Sequence, residues 1–159
     1  MPKLDLFSIP AKTGSSYPPQ FAKLMTGRSS LRLAEAGGLT QFGVNLVTLA
    51  PGGVSSMRHW HRDEDEFVMV TGGTCTLVED EGETVMSAGD CAAFPAGVAN
   101  GHQLINRTDA TASFLVVGTD SPTELATYSD IDMTVQCDGD TAEFRHKDGT
   151  PYAMTGDGA

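Results

Sequence analysis

The sequence predicts an all-β fold of short antiparallel strands that close into a sandwich or a barrel. Apolar and polar residues alternate in short runs, and turn residues separate these runs at regular intervals. The chain has 159 residues with 18 glycines and 8 prolines, a content typical of chains that turn often. Residues 41–119 show no sustained helical period. A chain of this length can bury one hydrophobic core.

The predicted strands begin near residue 41. The run QFGVNLVTL, from Gln41 to Leu49, alternates as a half-buried strand does, and Pro51 and Gly52 then end it in a turn. Turns rich in glycine, proline or aspartate separate the strands that follow. These strands are predicted at residues 57–61, 66–71, 74–79, 83–87, 91–95, 101–106 and 112–118.

The two ends of the chain are expected to surround this core within one domain. Residues 1–40 look irregular and are predicted to be an N-terminal arm with short edge strands. Residues 41–119 are predicted to form the barrel. Residues 120–159 are predicted to be an irregular C-terminal extension that packs on it.

Within the extension, the sequence favours a single helical turn near Pro122 and one more strand at residues 141–145. The final letters, TGDGA, read as a frayed tail.

Composition limits the partners and the compartment. The net charge of -11 repels phosphate backbones and anionic lipid, so neither a nucleic acid nor a membrane is an expected partner. Acidity also disfavours anionic substrates, unless a local cation or a metal reverses the field. The opening MPKLDLFSIPAKTG lacks the apolar segment of a signal peptide, and no apolar run approaches the ~20 residues that span a bilayer.

Three cysteines without a CxxC pair favour reduced thiols and a cytoplasmic location.

The strongest chemical signal is the segment RHWHRDEDEF. His59 and His61 are two residues apart, so in a strand both imidazoles lie on one face and Trp60 lies on the other. After an acidic turn, Glu66 is expected to start the partner strand and to face the histidines. A third imidazole, His102, follows in the segment ANGHQLIN.

These four residues, His59, His61, Glu66 and His102, are the predicted metal ligands. Three neutral nitrogens and one carboxylate suit Mn, Fe, Co, Ni, Cu or Zn rather than Ca or Mg. We expect one divalent transition metal per chain, with Zn, Mn, Fe or Ni as the main candidates. Asp65 is the alternative carboxylate if the turn register shifts by one residue.

The segment resembles the first signature motif of the cupin superfamily, in which a glycine precedes His-x-His, a glutamate and a second glycine. The matching residues are Gly53, His59, His61, Glu66 and Gly73.

A second stretch resembles the second cupin motif, with Gly89, Pro95, Gly97, His102 and Asn106 at the matching positions. Four residues rather than two separate Gly97 from His102. The resemblance covers about residues 41–119 and implies a double-stranded β-helix, also called a jelly-roll barrel, with a metal inside.

The whole chain also resembles bacterial single-domain cupins, many of which carry only a proposed label of sugar-phosphate isomerase. The segments HWH, GDCAAFPAG, NGH, YSDIDM and RHKDGTPY carry this resemblance. Because cupins commonly pair, it implies a homodimer, in which the strand at residues 41–49 could extend the sheet of its neighbour.

Three functions fit these observations. The first is an enzyme that uses the metal as a Lewis acid, an isomerase, epimerase or lyase acting on a small sugar or oxo acid. The second is an Fe(II)-dependent oxygenase. The third is a non-catalytic module that binds a small ligand. For the enzyme, Asp65, Tyr128 and Asp130 are candidates to move a proton.

Overall fold

The computed structural model describes residues 3–154, and this part of the chain is built mainly from β-strands. A 3-10 turn (Leu6–Ser8) and two short α-helices, α1 (Pro19–Ala22) and α2 (Leu33–Gly37), lie near its N-terminal end. The strands are β1 (Lys12–Thr13), β2 (Arg28–Arg32), β3 (Phe42–Leu49), β4 (His59–His61), β5 (Glu66–Gly72), β6 (Thr74–Glu79), β7 (Gly82–Ser87), β8 (Cys91–Phe94), β9 (Gln103–Ile105), β10 (Ala112–Thr119), β11 (Thr123–Tyr128), β12 (Thr134–Asp138) and β13 (Thr141–Arg145).

These strands form three antiparallel sheets. A six-stranded sheet has the order β1-β2-β3-β10-β5-β8, a four-stranded sheet has the order β13-β12-β11-β4, and a three-stranded sheet has the order β7-β6-β9. The fold is an all-β jelly-roll barrel, so the predicted fold class is confirmed. No helix within residues 3–154 is long and apolar enough to cross a bilayer.

The main core lies between the six-stranded and the three-stranded sheets. Alternate residues of β5, Val68 and Val70, are buried, as the period of two along a strand requires. Phe114 on β10 and Val47 on β3 belong to the same cluster, and Leu77 on β6 packs there from the three-stranded sheet. Burying side chains of this kind supplies about 1.5–3 kcal/mol each.

Gly73 allows the chain to pass from the six-stranded to the three-stranded sheet. Its φ of 69° lies in the left-handed region, and a Cβ placed there would meet the Thr111 carbonyl oxygen at 2.6 Å. Only glycine fits both conditions without strain. This explains a glycine at the end of the first motif.

The eight strands predicted between residues 41 and 118 correspond to β3 to β10. Within residues 1–40, where short edge strands are predicted, β1 and β2 extend the six-stranded sheet beyond β3. The helical turn predicted near Pro122 is wrong, since β11 starts at Thr123 and pairs with both β4 and β12.

The strand predicted at residues 141–145 is present as β13. The TGDGA tail lies outside the described residues.

A second apolar cluster fastens the C-terminal strands to the N-terminal arm. Tyr128 and Met133 are at most 4% exposed, and Phe144 belongs to the same cluster. The ring of Tyr17, from the arm, meets the rings of Tyr128 and Phe144 edge to face at centroid distances of 5.6 Å. Aromatic contacts of this geometry are favourable, so both ends of the chain pack together against the barrel.

The suggestion that the strand at residues 41–49 extends a neighbour's sheet is wrong. Strand β3 lies inside its sheet, paired with β2 on one side and β10 on the other. Residues 45–49 are therefore paired on both sides, and the edges of this sheet are β1 and β8.

Asn106 fixes the turn between β9 and β10. Its side chain is fully buried, and the amide nitrogen donates to the carbonyl oxygens of Leu49 at 2.9 Å and Ala110 at 2.7 Å. Its carbonyl oxygen accepts hydrogen bonds from the backbone N–H and the hydroxyl of Thr108. All these polar groups are satisfied by one another, as buried polar groups must be.

We predict that Asn106→Ala lowers the free energy of unfolding by about 2–4 kcal/mol, because the buried Leu49 carbonyl and the partly buried Ala110 carbonyl both lose their donor. Thr108→Val is the matched control, since it removes one hydroxyl and leaves both amide donors in place; it should cost about 1 kcal/mol. Urea unfolding followed by circular dichroism measures both values. Equal losses for the two variants would contradict this role of Asn106.

Candidate metal centre

His59 and His61 project from the same face of β4. The strand pairs with β11, which places His59 opposite Tyr128 and His61 opposite Ala126. The Nε2 atoms of the two imidazoles are 3.2 Å apart. Both imidazoles line a cavity whose described wall does not include Trp60. The alternation predicted for His-x-His is therefore present.

Glu66 reaches the histidines from a different sheet. The expectation that it starts the partner strand of β4 is wrong, because β5 pairs with β10 and β8. Its carboxylate nevertheless lies 3.8 Å from Nε2 of His61 and 3.2 Å from Nε2 of His102. Barrel closure, rather than a hairpin, brings these groups together.

His102 is the most buried of the three imidazoles, with 2% exposure. Its backbone forms a two-way bridge with His59, with N···O distances of 2.9 and 3.2 Å. The ring stacks on Phe94 at a centroid distance of 3.6 Å. Val98, within the longer connection after Gly97, is 51% exposed, so the additional residues extend outward and leave His102 directed at the site.

The protonation states suit metal ligation. Burial, together with the His61 and His102 imidazoles, lowers the pKa of His59 to about 4, so this ring is neutral at pH 7. Its Nδ1 lies 2.8 Å from the Met57 carbonyl oxygen and donates to it, which leaves the Nε2 lone pair free. Burial opposes ionisation of Glu66, but the hydrogen bond with His102 and the neighbouring imidazoles outweigh it and lower the pKa.

The spacing of these atoms also suits one cation. Ligands held about 2.1 Å from a transition metal lie about 3.0–3.4 Å from one another. The Nε2 atoms of His59 and His61 are 3.2 Å apart, and Nε2 of His102 is 3.2 Å from the Glu66 carboxylate. Nε2 of His61 is 3.8 Å from that carboxylate. Nδ1 of His61 and of His102 is buried without a hydrogen-bond partner, so the Nε2 atoms are the nitrogens of these rings that face the other predicted ligands. The residues present therefore fit a divalent transition metal.

Glu124 is a buried group near the site that the sequence did not indicate. It is 3% exposed, and its carboxylate accepts hydrogen bonds from the backbone N–H groups of Arg62 and Asp63, both at 2.9 Å. One of its oxygens lies 3.5 Å from Nδ1 of His61. The carboxylate therefore lies close behind the His61 ring, while its hydrogen bonds go to the backbone of the acidic turn.

Donor atoms of His61, Glu64 and Glu124 all lie within 4.8 Å of one another, so this group could itself hold a cation. Both carboxylates already accept hydrogen bonds from backbone N–H groups, Glu64 from Ser121 at 2.8 Å. The group also offers one nitrogen instead of three. We therefore assign its carboxylates to holding the backbone of the acidic turn beside His61.

A cavity of about 360 Å³ opens beside the four predicted ligands. Apolar side chains from β3 and β10, Val47 and Phe114, form part of its wall. Ser55 and Ser56 contribute hydroxyl groups, and Tyr17 closes it from the N-terminal arm. The volume suits a small molecule.

The three candidate proton carriers occupy other positions. Asp65 lines an outer groove and accepts a hydrogen bond from the Ala96 N–H at 2.8 Å. Tyr128 stacks on His59 at 5.5 Å, and burial raises its pKa, so it keeps its proton. Neither residue is part of the described cavity wall. Their catalytic role stays a prediction, to which the geometry adds no support.

Asp130 pairs with Arg58 outside the described cavity wall. Nε of Arg58 donates to its carboxylate at 2.9 Å, and this contact lowers the pKa of Asp130. The same guanidinium binds Asp80 and donates to the Gly101 carbonyl oxygen at 3.3 Å. Since Arg58 and Gly101 adjoin His59 and His102 in sequence, this cluster fixes the backbone beneath two of the imidazoles.

The barrel and its clustered imidazoles define the class of protein. The profile of the Cupin domain matches residues 45–118. A crystal structure of a sugar phosphate isomerase of the cupin superfamily from Silicibacter pomeroyi shares 61% identity, with a TM-score of 0.93 over 96% of this chain and 97% of that chain. The chain therefore belongs to the cupin superfamily, and it resembles the single-domain members proposed to be sugar-phosphate isomerases.

More distant structures share the fold alone. One, from Acidithiobacillus ferrooxidans, is a proposed sugar phosphate isomerase with 22% identity and a TM-score of 0.72 over 87% of this chain and 96% of that chain. The polyketide cyclase RemF from Streptomyces resistomycificus has 20% identity and a TM-score of 0.63 over 76% and 80%. A search of the curated proteins found no match.

We predict that His59→Ala and His61→Ala each lose most of the metal bound by the wild-type protein. They should also lose most of the rise in melting temperature that added metal produces, because only the folded state binds the cation. Elemental analysis and thermal unfolding after reconstitution measure both effects.

His146→Ala is the control, since that imidazole pairs with Asp132 at 2.9 Å and stacks on Tyr152. It should keep full metal content. Stoichiometric metal in either of the first two variants would show that the ligand set is wrong.

Proposed function

We propose that this cupin is a metal-dependent enzyme that isomerises a small sugar phosphate, or a similar oxo compound, with a divalent transition metal as the Lewis acid. The observation that carries the proposal is the convergence of His59, His61, His102 and Glu66 beside a cavity of small-molecule size. The label of the relative from Silicibacter pomeroyi supports the substrate class at 61% identity over nearly the whole chain.

The residues of the chain supply the rest of the site. A bound cation would polarise a carbonyl or hydroxyl oxygen of the substrate. Ser55 and Ser56 line the cavity and can hydrogen-bond to substrate oxygens. Burial raises the pKa of Tyr17, so its hydroxyl stays protonated and can act as a hydrogen-bond donor. Phe114 and Leu104 exclude water from one side of the cavity.

The test is a turnover screen in deuterated water. Protein stripped of metal and reloaded with Mn, Fe, Co, Ni or Zn is mixed with short aldose and ketose phosphates and with 2-oxo acids. Isomerisation by proton transfer should place deuterium next to the substrate carbonyl, which proton NMR detects. His61→Ala should lower the rate roughly 100-fold or more, because the stabilisation of developing negative charge is lost with the metal.

The control for this experiment is Arg107→Gln. Arg107 pairs with Glu83 on the exposed surface, so its loss should leave the rate unchanged. Oxygen consumption by the Fe(II)-loaded protein without deuterium exchange would replace the proposal with an oxygenase. Ligand binding without either reaction would make the chain a binding protein.

We also propose a cytoplasmic location and a homodimer. All three cysteines, Cys75, Cys91 and Cys137, are free, which supports a reducing compartment. The outer face of the six-stranded sheet carries Phe42 and Phe67, each 40% exposed. These two rings and the neighbouring Met69 form an apolar surface that a second copy would cover.

We predict that Phe67→Lys raises the dimer dissociation constant roughly tenfold or more, because it places a charge within the apolar contact. Sedimentation equilibrium measures this change. Val85→Lys is the control: Val85 is 68% exposed on β7, in a different sheet. If both variants have the same mass as the wild-type protein at every concentration, the outer face of the six-stranded sheet is not the interface.

A further inference from the structure

The N-terminal arm places three cationic side chains at the cavity. Arg28 and Arg32 lie on alternate positions of β2, so they share one face with Ser30 between them. Lys12 on β1 lies directly opposite Ser30 in the antiparallel register. The side chains of all four residues line the 360 Å³ cavity, together with those of the metal centre.

Two of these cations lack an anionic partner. Within residues 3–154, neither Lys12 nor Arg28 has a carboxylate oxygen within 4.0 Å. Nε of Arg28 is buried without a hydrogen-bond partner. Arg32 has Glu35 at 3.2 Å, but this pair is exposed to solvent and therefore weak.

The three charges also oppose one another. Burial and the proximity of Arg32 lower the pKa of Arg28, although nearby Tyr17 acts in the opposite direction. Burial, followed by the charges of Arg32 and Arg28, lowers the pKa of Lys12. A partly buried guanidinium without a partner costs free energy, and a bound anion would recover it.

We propose that Lys12, Arg28 and Arg32 bind the phosphate group of a phosphate monoester whose carbon chain extends toward His59, His61 and Glu66. A guanidinium presents paired N–H donors that match phosphate oxygens, and two arginines with a lysine can balance a dianion. Asn45, opposite Arg32 on β3, and Ser30 add uncharged polar groups for the remaining oxygens.

The cationic residues of β2 and the ligand Glu66 belong to the same six-stranded sheet. Strands β2, β3, β10 and β5 are consecutive neighbours, so β2 and β5 are about 14 Å apart across the sheet. The side chains that reach into the cavity from β2 and from β5 shorten this distance. Along the strands, Glu66 is level with Gly43, which is two residues from the partner of Arg32 and six from the partner of Arg28, so Arg32 is the nearer arginine. The claim that the carbon chain extends toward the metal ligands rests on the proposed function, whereas anion binding at the N-terminal arm does not.

Isothermal titration of metal-free protein tests the anion site with three probes: inorganic phosphate, glycerol 3-phosphate and malonate. Both phosphates should bind with a dissociation constant of about 1 mM or below. Arg28→Gln should weaken this binding roughly ten- to hundredfold, because charge-assisted hydrogen bonds are lost. Arg28→Lys keeps the charge without the planar fork and should give an intermediate value.

Lys23→Gln is the matched control, since it removes one positive charge from an exposed residue outside the described cavity wall. It should leave the affinity within about twofold of the wild-type value. Arg28→Gln should keep its metal content, and its melting temperature should be equal or higher, because the residue it replaces is unpaired.

Equal loss of affinity in Arg28→Gln and Lys23→Gln, or no saturable phosphate binding, would overturn the proposal. Tighter binding of malonate than of either phosphate would overturn it in favour of a dicarboxylate. Phosphate binding that depends on Arg28 in a protein without metal-dependent turnover would support the anion site and refute the proposed function. The two proposals can therefore fail separately.

Discussion

The closure of three sheets around one point is the constraint on which the site depends. His59 and His61 belong to the four-stranded sheet, Glu66 begins a strand of the six-stranded sheet, and His102 directly precedes the three-stranded sheet's β9. No two sheets alone would supply all four groups. The two-way backbone bridge between His59 and His102 joins two of these sheets at the site itself, so donor spacing and barrel integrity depend on each other.

Residues of the N-terminal arm and of β11 pack around the predicted metal ligands. Tyr128 stacks on His59, and the ring of Tyr17 packs on Tyr128 in turn. Behind His61, Glu124 on β11 holds the backbone of the acidic turn through two hydrogen bonds. The backbone that follows His61 and the ring of His59 are therefore fixed by the chain itself, whereas Nδ1 of His61 and of His102 has no hydrogen-bond partner among the described residues.

The sequence predicted what depends on local periodicity. Alternation along a strand is enough to place His59 and His61 on one face, and the turn residues predicted the limits of most barrel strands. It did not predict β11 or the role of Glu124, because pairing between β4 and β11 joins segments more than 60 residues apart. Arg28 and Arg32 alternate visibly in the sequence, but only the register of β2 against β3 shows that this face points into the cavity.

The proposed anion site would take its selectivity from the distribution of charge. The chain carries 10 lysines and arginines against 21 acidic residues, yet three of those cations line one wall of a single cavity. An acidic surface repels large polyanions over distances up to a Debye length of about 8–10 Å, whereas a small anion that enters the cavity meets unpaired cations in a less polar environment. On the proposed binding mode, such a field would disfavour nucleic acids and anionic membranes while still admitting a small phosphorylated molecule. An acidic protein can therefore bind an anionic substrate, provided that the positive charges lie inside the cavity and lack partners of their own.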